Sequence, residues 1–309
     1  MTHIFIVNPY SERNRVADTL REKLSKIEGL NYFVFNTRSA GYEEIIVRKI
    51  RHFFEGEELR FYCCGGSGTI RNVLCGFDDI SQAEVAFIPC GMTNDFLKVF
   101  DCGEEPFRDI EALINGDVIN VDVIKSNYGY ALNTVSFGLD AEMGKKLADY
   151  YALTSIAGWL PYTLAILSIM FSSNQYRYTI EIDGKKIDQT CIEVIFGNGN
   201  VLGGNLIFSD SRDAADGLCS YYICKEVHGL NKVSVLLNLM SKDMDKVRKH
   251  AACGFGNEIK IRRTDGKNFD INLDGEILKN ITEFEARIIK QGLRFVVPKG
   301  IMGGEKREQ

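Results

Sequence analysis

The sequence predicts two domains of different class: an α/β N-terminal domain with an open, mostly parallel sheet, and a C-terminal antiparallel β-sandwich with helical insertions. Its 309 residues are enough for two separate cores. Strand and helix patterns alternate as far as about Asp122, which is typical of a parallel sheet with helices on both faces. Beyond that point, short strands joined by turns such as residues 183–186 favour antiparallel pairing.

The first third supports the α/β assignment element by element. Short apolar runs predict strands, and the segments after them carry the apolar spacing or the capping residue of a helix. Ser11 is the expected cap of the first helix. The predicted strands are residues 3–8, 32–35, 59–64 and 84–88, and the predicted helices are residues 11–27, 42–54 and 70–76.

The second part contains hairpin-like turns and two helical stretches. We expect hairpins at residues 127–129, 183–186 and 265–267, and a helix near residues 231–241. Residues 150–176 carry no charged side chain, but several small polar residues and Pro161 interrupt their apolar character. A buried helical pair therefore fits this segment better than a membrane span, and contact with a membrane surface stays open.

Composition narrows the class of protein. The chain is 45% hydrophobic and 26% charged, as in ordinary soluble globular proteins. A net charge of -5 gives no support for a basic face that binds nucleic acid. Nine cysteines without a CxxC pair, and no signal-peptide pattern at residues 1–9, favour reduced thiols in a cytoplasm.

A glycine-rich loop is the most informative segment. Residues 63–69 read CCGGSGT where a buried strand gives way to a helix. Glycines at such a junction let the backbone approach a ligand, and the amides at a helix N-terminus attract anions. A phosphate is the natural ligand, and an ordinary strand-to-helix turn is the alternative.

A second loop follows the next strand. Residues 89–95 read PCGMTND, and Thr93, Asn94 and Asp95 stand before a further helix. Thr93 or Asn94 could simply cap that helix, with Asp95 favouring its dipole. Two such turns in succession nonetheless fit a nucleotide site at the carboxyl ends of parallel strands.

Two groups of carboxylates in the second part have two interpretations each. Asp213 and Asp216 suit a hard cation such as Mg²⁺, or a solvated turn. Asp274 and Glu276 flank Gly275. This pattern predicts either an ordinary β-turn or a functional site in which the carboxylate accepts a proton from a substrate hydroxyl. The chain shows no Ser-His-Asp arrangement and no GxxxxGK[ST] loop.

The order of these motifs resembles the bacterial diacylglycerol kinase-like lipid kinases, relatives of diacylglycerol and sphingosine kinases and, more remotely, of NAD kinases. The resemblance covers nearly the whole chain. Residues 65–69 are similar to the family's GGDGT, residues 91–95 to its GTGND and residues 274–276 to its DGE. The remaining matches are Asn8-Pro9 with Ser11, Thr37-Arg38 with Gly41, Asn133 with Gly138, Asp140 and Ala141, Asn198 with Gly203 and Gly204, and Asp216-Gly217.

The resemblance implies a fold, a reaction and a site. Residues 1–122 plus 290–309 would form the α/β domain and residues 123–289 the sandwich, with ATP in the cleft between them. Asp274 would be the base, supported by Glu276, and Asp213 and Asp216 would hold Mg²⁺. The residues implied to hold nucleotide and phosphate are Asn8, Thr37, Gly65, Gly66, Ser67, Gly68, Thr69, Thr93, Asn94 and Asp95.

The implied partners are ATP and a diacylglycerol-like lipid acceptor. A cytoplasmic protein that contacts the inner membrane surface peripherally would fit them, and a homodimer stays open. A soluble hydroxyl acceptor is the alternative to the lipid.

The chain departs from the family pattern at Ser67, which replaces the aspartate of GGDGT. Met92 and Thr93 replace the threonine and glycine of GTGND, and Asn205 and Ser209 replace a glycine and a proline. Ser67 can donate a hydrogen bond to a phosphate oxygen but is a weaker metal ligand than a carboxylate. A nucleotide-binding regulator with weak or lost kinase activity is therefore the second hypothesis.

Overall fold

The computed structural model describes residues 1–11, 15–39, 41–91, 94–142, 175–211, 213–229, 231–241 and 243–301. The chain divides into two compact units. The first unit contains residues 1–123, 214–216 and 290–309, and the second contains residues 124–213 and 217–289.

The first unit is built on a parallel sheet, as predicted. Strands β1 (Thr2–Val7), β2 (Tyr32–Asn36), β3 (Leu59–Gly65) and β4 (Glu84–Pro89) pair in the order β4-β3-β1-β2, all parallel. The C-terminal part of β17 (Glu283–Val297) adds a fifth parallel strand beside β4. Strands β1 and β4 are buried throughout, because their long apolar runs are covered on both faces.

Helices connect these strands. They are α1 (Arg15–Ser25), α2 (Tyr42–Phe53), α3 (Ser67–Cys75) and the short α4 (Ile110–Ile114). Helix α2 shows why the segment is helical: Ile46, Val47 and Ile50 share a buried face, and acidic and basic residues stand in its first and last turns. The predicted helix at 70–76 begins earlier, at Ser67, so the glycine loop itself forms its first turn.

The second unit is an antiparallel β-sandwich. Its main sheet runs β16-β15-β7-β9-β8-β14-β17, and β12 pairs with β9 and β13. The strands are β5 (Asp117–Ser126, which begins in the first unit), β6 (Gly129–Ala131), β7 (Thr134–Gly138), β8 (Tyr176–Ile182), β9 (Lys185–Gly197), β10 (Val201–Leu202), β11 (Leu206–Ile207), β12 (Cys219–Lys225), β13 (Ala251–Gly256), β14 (Glu258–Arg263), β15 (Phe269–Leu273) and β16 (Glu276–Ile281). Helices α5 (Asn231–Met240) and α6 (Met244–Val247) follow β12.

Two of the three predicted hairpins are present. The turns at 127–129 and 183–186 join the antiparallel pairs β5-β6 and β8-β9. The turn at 265–267 does not form a hairpin, because β14 pairs with β8 and β17 whereas β15 pairs with β7 and β16. A local turn signal carries no information about which strand lies next to it.

The segment 214–216 was expected in the second domain but packs in the first unit. The amide of Asp122 donates to the carbonyl of Ala214 at 2.6 Å, and the Lys290 ammonium donates to the carbonyl of Asp216 at 3.1 Å. Hydrogen bonds from β5 and β17 therefore hold this segment.

The apolar segment 150–176 falls outside the described residues apart from its last two. In the part of the chain that is described, no helix combines the length and the apolar character needed to cross a membrane.

Candidate functional site

The carboxyl edge of the parallel sheet gathers four predicted site loops. Because β1 to β4 run in the same direction, the residues that follow them emerge at one edge. Asn8 follows β1, Thr37 follows β2, Gly66 follows β3 and Gly91 lies just beyond β4. The amide of Thr37 donates to the carbonyl of Val7 at 2.9 Å, which fixes the second loop beside the first.

The two glycine loops touch each other. The carbonyl of Gly65 accepts hydrogen bonds from the amides of Cys90 and Gly91, at 2.8 and 3.1 Å. A Cβ atom on Gly91 would lie 2.6 Å from the Cα atom of Gly66, which is closer than real side chains approach. Glycine is therefore required where the backbones of the two loops pass.

Helix α3 begins directly at this contact. Gly66 is its N-cap in an extended conformation, and no side chain caps the helix. The carbonyl of Gly66 accepts from the amides of Thr69 and Ile70, at 3.0 and 3.2 Å. The first amides of a helix have no partner within the helix, and they carry the positive end of its dipole. This end of α3 is suited to an anion, and the half-buried Ser67 opens its first turn.

Side chains from the first loop fasten the other two. The Asn8 amide donates to the Thr69 hydroxyl at 3.2 Å, and the Ser11 hydroxyl donates to the carbonyl of Cys90 at 2.6 Å. Ser11, the predicted helix cap, thus bonds the loop after β4, while helix α1 is described from Arg15. The three loops form one hydrogen-bonded group.

The Asn94 side chain holds the loop after β4 in place, a role that the sequence did not predict. Its side chain accepts from the Gly91 amide at 3.2 Å and donates to the Gly91 carbonyl at 3.0 Å and to Glu104 at 2.8 Å. Buried Asp95 pairs with Lys98 at 3.1 Å and starts a short 3₁₀ helix, Asp95–Val99. Thr93 lies outside the described residues. Direct ligand contacts by these three residues stay predictions.

In the second unit, Asp274 sits in a tight turn between β15 and β16. Asp274 and Gly275 both have positive φ angles, 51° and 89°, as in a type I′ hairpin turn. The sequence had offered a turn and a cleft carboxylate as alternatives, and the turn is present. Glu276 follows it as the first residue of β16, half-buried and paired with Leu273.

Three backbone amides hold the Asp274 carboxylate. Leu132 and Asn133 donate to Oδ2, and Asn133 and Thr134 donate to Oδ1, the last at 2.8 Å. The Asp274 amide donates in return to the carbonyl of Thr134 at 3.0 Å. Amide donors favour the charged form of a carboxylate and fix its orientation.

A second polar network supports the same turn. The Asn272 side chain accepts from the Gly275 amide at 2.7 Å and donates to Asp140 at 2.6 Å. Asp140 also accepts from the Ser136 hydroxyl, and its own amide donates to Glu193 at 2.9 Å. Asn272 and Glu193 were not predicted. The signal for Glu193 was a single charged residue within the apolar run of β9.

We call Asp140 and Glu193 the acid pair. Burial raises the pKa of Glu193 well above its ordinary value, and the neighbouring Asp140 charge adds to the effect. Burial also raises the pKa of Asp140, although hydrogen bonds from Ser136 and Asn272 oppose the shift. The Glu193 side chain is 95% buried, and its Oε1 atom has no hydrogen-bond partner within the described residues.

The variant Glu193→Gln is expected to lessen the loss of stability at high pH. A carboxyl with a raised pKa in the folded state binds a proton that the unfolded chain releases, so stability falls as pH rises above the ordinary value of 4.5. Glutamine keeps an acceptor for the Asp140 amide and removes this term. Thermal unfolding between pH 5 and 8 should show a Tm decrease smaller by a few degrees than in wild type. The exposed Glu258→Gln variant is the control, and equal pH profiles for all three proteins would contradict the expectation.

The predicted metal ligands are not part of an acidic cluster. Asp213 is exposed in the second unit, and Asp216 belongs to the first. Within the described residues there is no group of three or more His, Cys, Asp or Glu side chains that could hold a metal ion. The assignment of Mg²⁺ to Asp213 and Asp216 stays a prediction.

Asp122 is a buried carboxylate that the sequence reasoning missed as a site candidate. It is fully buried in the first unit, and its Oδ1 atom accepts from the Gln291 amide at 2.6 Å. A charged residue between apolar neighbours in the run VDV was the available signal.

The first unit belongs to a class defined by its fold and loops: an α/β domain whose glycine loops and helix N-terminus are suited to an anionic ligand such as a nucleotide. The comparisons with known proteins agree. The diacylglycerol kinase catalytic domain matches residues 2–126, and the YegS C-terminal NAD kinase beta sandwich-like domain matches residues 133–296. The chain belongs to the diacylglycerol kinase-like lipid kinase family.

Individual relatives are distant. A Staphylococcus aureus (strain MRSA252) protein named "Putative lipid kinase SAR0780" is 27% identical over 70% of each chain. A Staphylococcus carnosus (strain TM300) protein named "Putative lipid kinase" is 22% identical over 76% of each chain. A crystal structure from Bacillus anthracis str. Sterne, described as a "putative diacylglycerol kinase", has a TM-score of 0.69 and 18% identity, and covers 97% of this chain and 98% of its own. That likeness concerns the fold.

Proposed function

We propose that this protein transfers the γ-phosphoryl group of ATP to a hydroxyl of a diacylglycerol-like lipid. The observation that supports the proposal most is the contact between the two glycine loops at the start of α3 in a chain of this kinase family. Kinases of the family use ATP, and the amides at this helix end offer the donors that phosphate oxygens need.

In the proposed reaction, the residues of the first unit position phosphate. Gly66 and Gly68 allow close approach of the backbone, and the amides of the first turn of α3 neutralise negative charge. The Ser67 hydroxyl adds one donor. Phosphoryl transfer depends mainly on positioning and charge neutralisation, which this set can contribute.

Asp274 is the proposed general base. Its carboxylate is oriented by the amides of residues 132–134, and it would take the proton of the acceptor hydroxyl as the oxygen attacks. Asn272 and Asp140 act as positioning residues, because their hydrogen bonds reach the Gly275 amide in the same turn. Glu276 is proposed to support the base from the start of β16.

Mg²⁺ dependence is part of the proposal because the reaction of the family implies it. The described residues contain no acidic cluster that fits a catalytic ion, and Ser67 removes the loop carboxylate. We therefore derive no step through the metal. Asp213 and Asp216 remain the proposed ligands of a structural ion.

Ser67 favours a second candidate function, a nucleotide-binding regulator without phosphoryl transfer. A departure from the family motif at a functional site indicates either a changed reaction or a lost activity. The loop after β3 keeps the glycines of the family motif, whereas the side chain that would organise a metal is absent and Met92 and Thr93 depart from the GTGND loop.

A transfer assay separates the two functions. We expect purified protein with γ-labelled ATP, Mg²⁺ and mixed lipid extract to produce a labelled lipid, and Ser67→Asp to raise the rate about tenfold or more if the missing carboxylate limits it. Labelled water-soluble product would instead indicate a soluble acceptor. ATP binding by calorimetry without turnover against any acceptor would reject the kinase and support the regulator.

A further inference from the structure

The helix α5 carries large apolar side chains that are exposed. Leu237 and Met240 are 58% and 51% exposed, and Val233 beside them is half-buried. These residues are spaced at i, i+4 and i+7, so they lie on one face of the helix. Val235 and Leu239 on the other side are buried among residues of β9 and β12. The helix is apolar on both sides, and its outer face is exposed among the residues that the structure describes.

Phe255 extends this apolar surface. It is 53% exposed on β13, which pairs with β12 alone among the described strands. Side chains alternate along a strand, so Phe255 points to the same side as Ala251 and Cys253. Ala251 and Cys253 pack against the cluster that holds the inner face of α5. Phe255 therefore lies on the side of the sheet that α5 covers.

The surrounding segment is basic in a chain that is acidic overall. The whole protein carries a net charge of -5. Residues 225–250 nevertheless hold six basic side chains against three acidic ones, Glu226, Asp243 and Asp245. The six are Lys225, Lys232, Lys242, Lys246, Arg248 and Lys249.

Part of this positive charge is not neutralised locally. Lys246 pairs with Asp243 at 2.9 Å, and Arg248 pairs with Asp210 at 2.7 Å. Lys249, two residues before β13, is exposed and forms no ion pair with any residue that the structure describes. An exposed apolar helix face in a net basic segment is complementary to an anionic lipid surface.

We propose that the outer face of α5, with Phe255 and Lys249, docks the second unit on a bilayer of anionic phospholipid. We call this set the α5 surface. The inference deepens the proposed function, since an enzyme that phosphorylates a membrane lipid must meet its acceptor at the bilayer. Insertion of Leu237 and Met240 removes apolar area from water, and Lys249, within a net basic segment, attracts the anionic headgroups.

Vesicle sedimentation without nucleotide tests the α5 surface. The probe is vesicles of phosphatidylglycerol and phosphatidylcholine, compared with vesicles of phosphatidylcholine alone. Wild-type protein should bind the anionic vesicles. The Leu237→Glu/Met240→Glu variant should bind them with an affinity at least about tenfold lower, since both the apolar and the electrostatic contributions are reduced. Lys249→Glu should also weaken binding to the anionic vesicles, and high salt should weaken the binding of wild type.

The matched control is Ile45→Glu/Phe53→Glu on α2 of the first unit. These residues are also exposed, at 45% and 81%, so the control changes apolarity and charge equally without touching the α5 surface. It should bind vesicles within about twofold of wild type. Equal binding by wild type and the Leu237→Glu/Met240→Glu variant would overturn the proposal. So would a change from dimer to monomer in that variant by sedimentation velocity, since the surface would then join two copies of the chain.

A short-chain diacylglycerol in solution separates this proposal from the proposed function. Transfer to that acceptor by both wild type and the α5 variant, with vesicle binding lost only in the variant, supports both. Transfer with unchanged vesicle binding rejects the α5 surface alone. Specific loss of vesicle binding in a protein that never transfers phosphate rejects the kinase and leaves the docking surface supported.

Discussion

Asp274→Asn is expected to lower phosphoryl transfer by a factor of about 10² to 10⁴, the usual contribution of a general base. Asparagine cannot take the proton of the acceptor hydroxyl. It also places an NH₂ group among backbone N–H donors from residues 132–134, which accept nothing from it. The measurement is γ-phosphate transfer, accompanied by ATP-binding calorimetry and thermal unfolding.

Asp183→Asn is a matched control for that result. Asp183 occupies an equivalent turn, with φ angles of 48° at Asp183 and 77° at Gly184, and its carboxylate accepts from the amides of Asn257 and Glu258 at 2.9 and 3.0 Å. Asp183 is exposed and accepts through one oxygen, whereas buried Asp274 accepts through both, so the thermal unfolding of the two variants is compared alongside transfer. Transfer should fall in Asp274→Asn alone. If transfer survives in Asp274→Asn, or falls equally in both variants, Asp274 is not the base.

Gly68→Ala should reduce ATP affinity about tenfold or more while leaving the protein at least as stable as wild type. A Cβ atom at Gly68 would meet no atom of this chain within 4 Å, and the residue stands in the first turn of α3. Alanine there should stabilise the helix by up to about 1 kcal/mol. Any loss of affinity must then come from contact with the ligand, whose phosphate would approach the backbone at this point in the proposed site. Calorimetry with ATP and a thermal melt measure the two effects.

Gly91→Ala provides the contrast. Its Cβ atom would collide with the Gly66 backbone, so this variant should lose both stability and ATP affinity. A Gly68→Ala protein that binds ATP as wild type does would remove this loop from the phosphate site. A Gly91→Ala protein as stable as wild type would show that the loops separate without cost.

The sequence was sufficient for the class of both units because their signals are local. Apolar runs located β1 to β4, and the run CCGGSGT located the junction between β3 and α3. The hydrogen bonds that hold the Asp274 carboxylate could not be predicted, since their donors, the amides of residues 132–134, are 140 to 142 positions away in the chain. Only the pairing of β15 with β7 brings them together.

Asn94 and Glu193 also show that a sequence does not reveal the hydrogen-bond partners of a side chain. Asn94 was predicted to cap a helix and does occupy the N-cap position of the 3₁₀ helix, but its side chain bonds Gly91 and Glu104 instead of capping. The sequence shows Glu193 as a charged residue in an apolar strand. Its role depends on the hydrogen bond from the Asp140 amide, which only the fold brings close. A sequence shows which polar side chains are unusual, but it does not show which residues they bond.

The fifth strand of the parallel sheet has a consequence for biosynthesis. Residues 294–296 of β17 pair with residues 84–86 of β4, and Arg294 forms an ion pair with buried Glu84. While the ribosome is still making the second unit, the edge of β4 that β17 later covers is unpaired, and of the two cationic partners of Glu84 among the described residues only Arg60 has been made. The parallel sheet of the first unit is therefore completed late although its first four strands are made first, and the nascent chain is exposed to edge-to-edge association until β17 emerges.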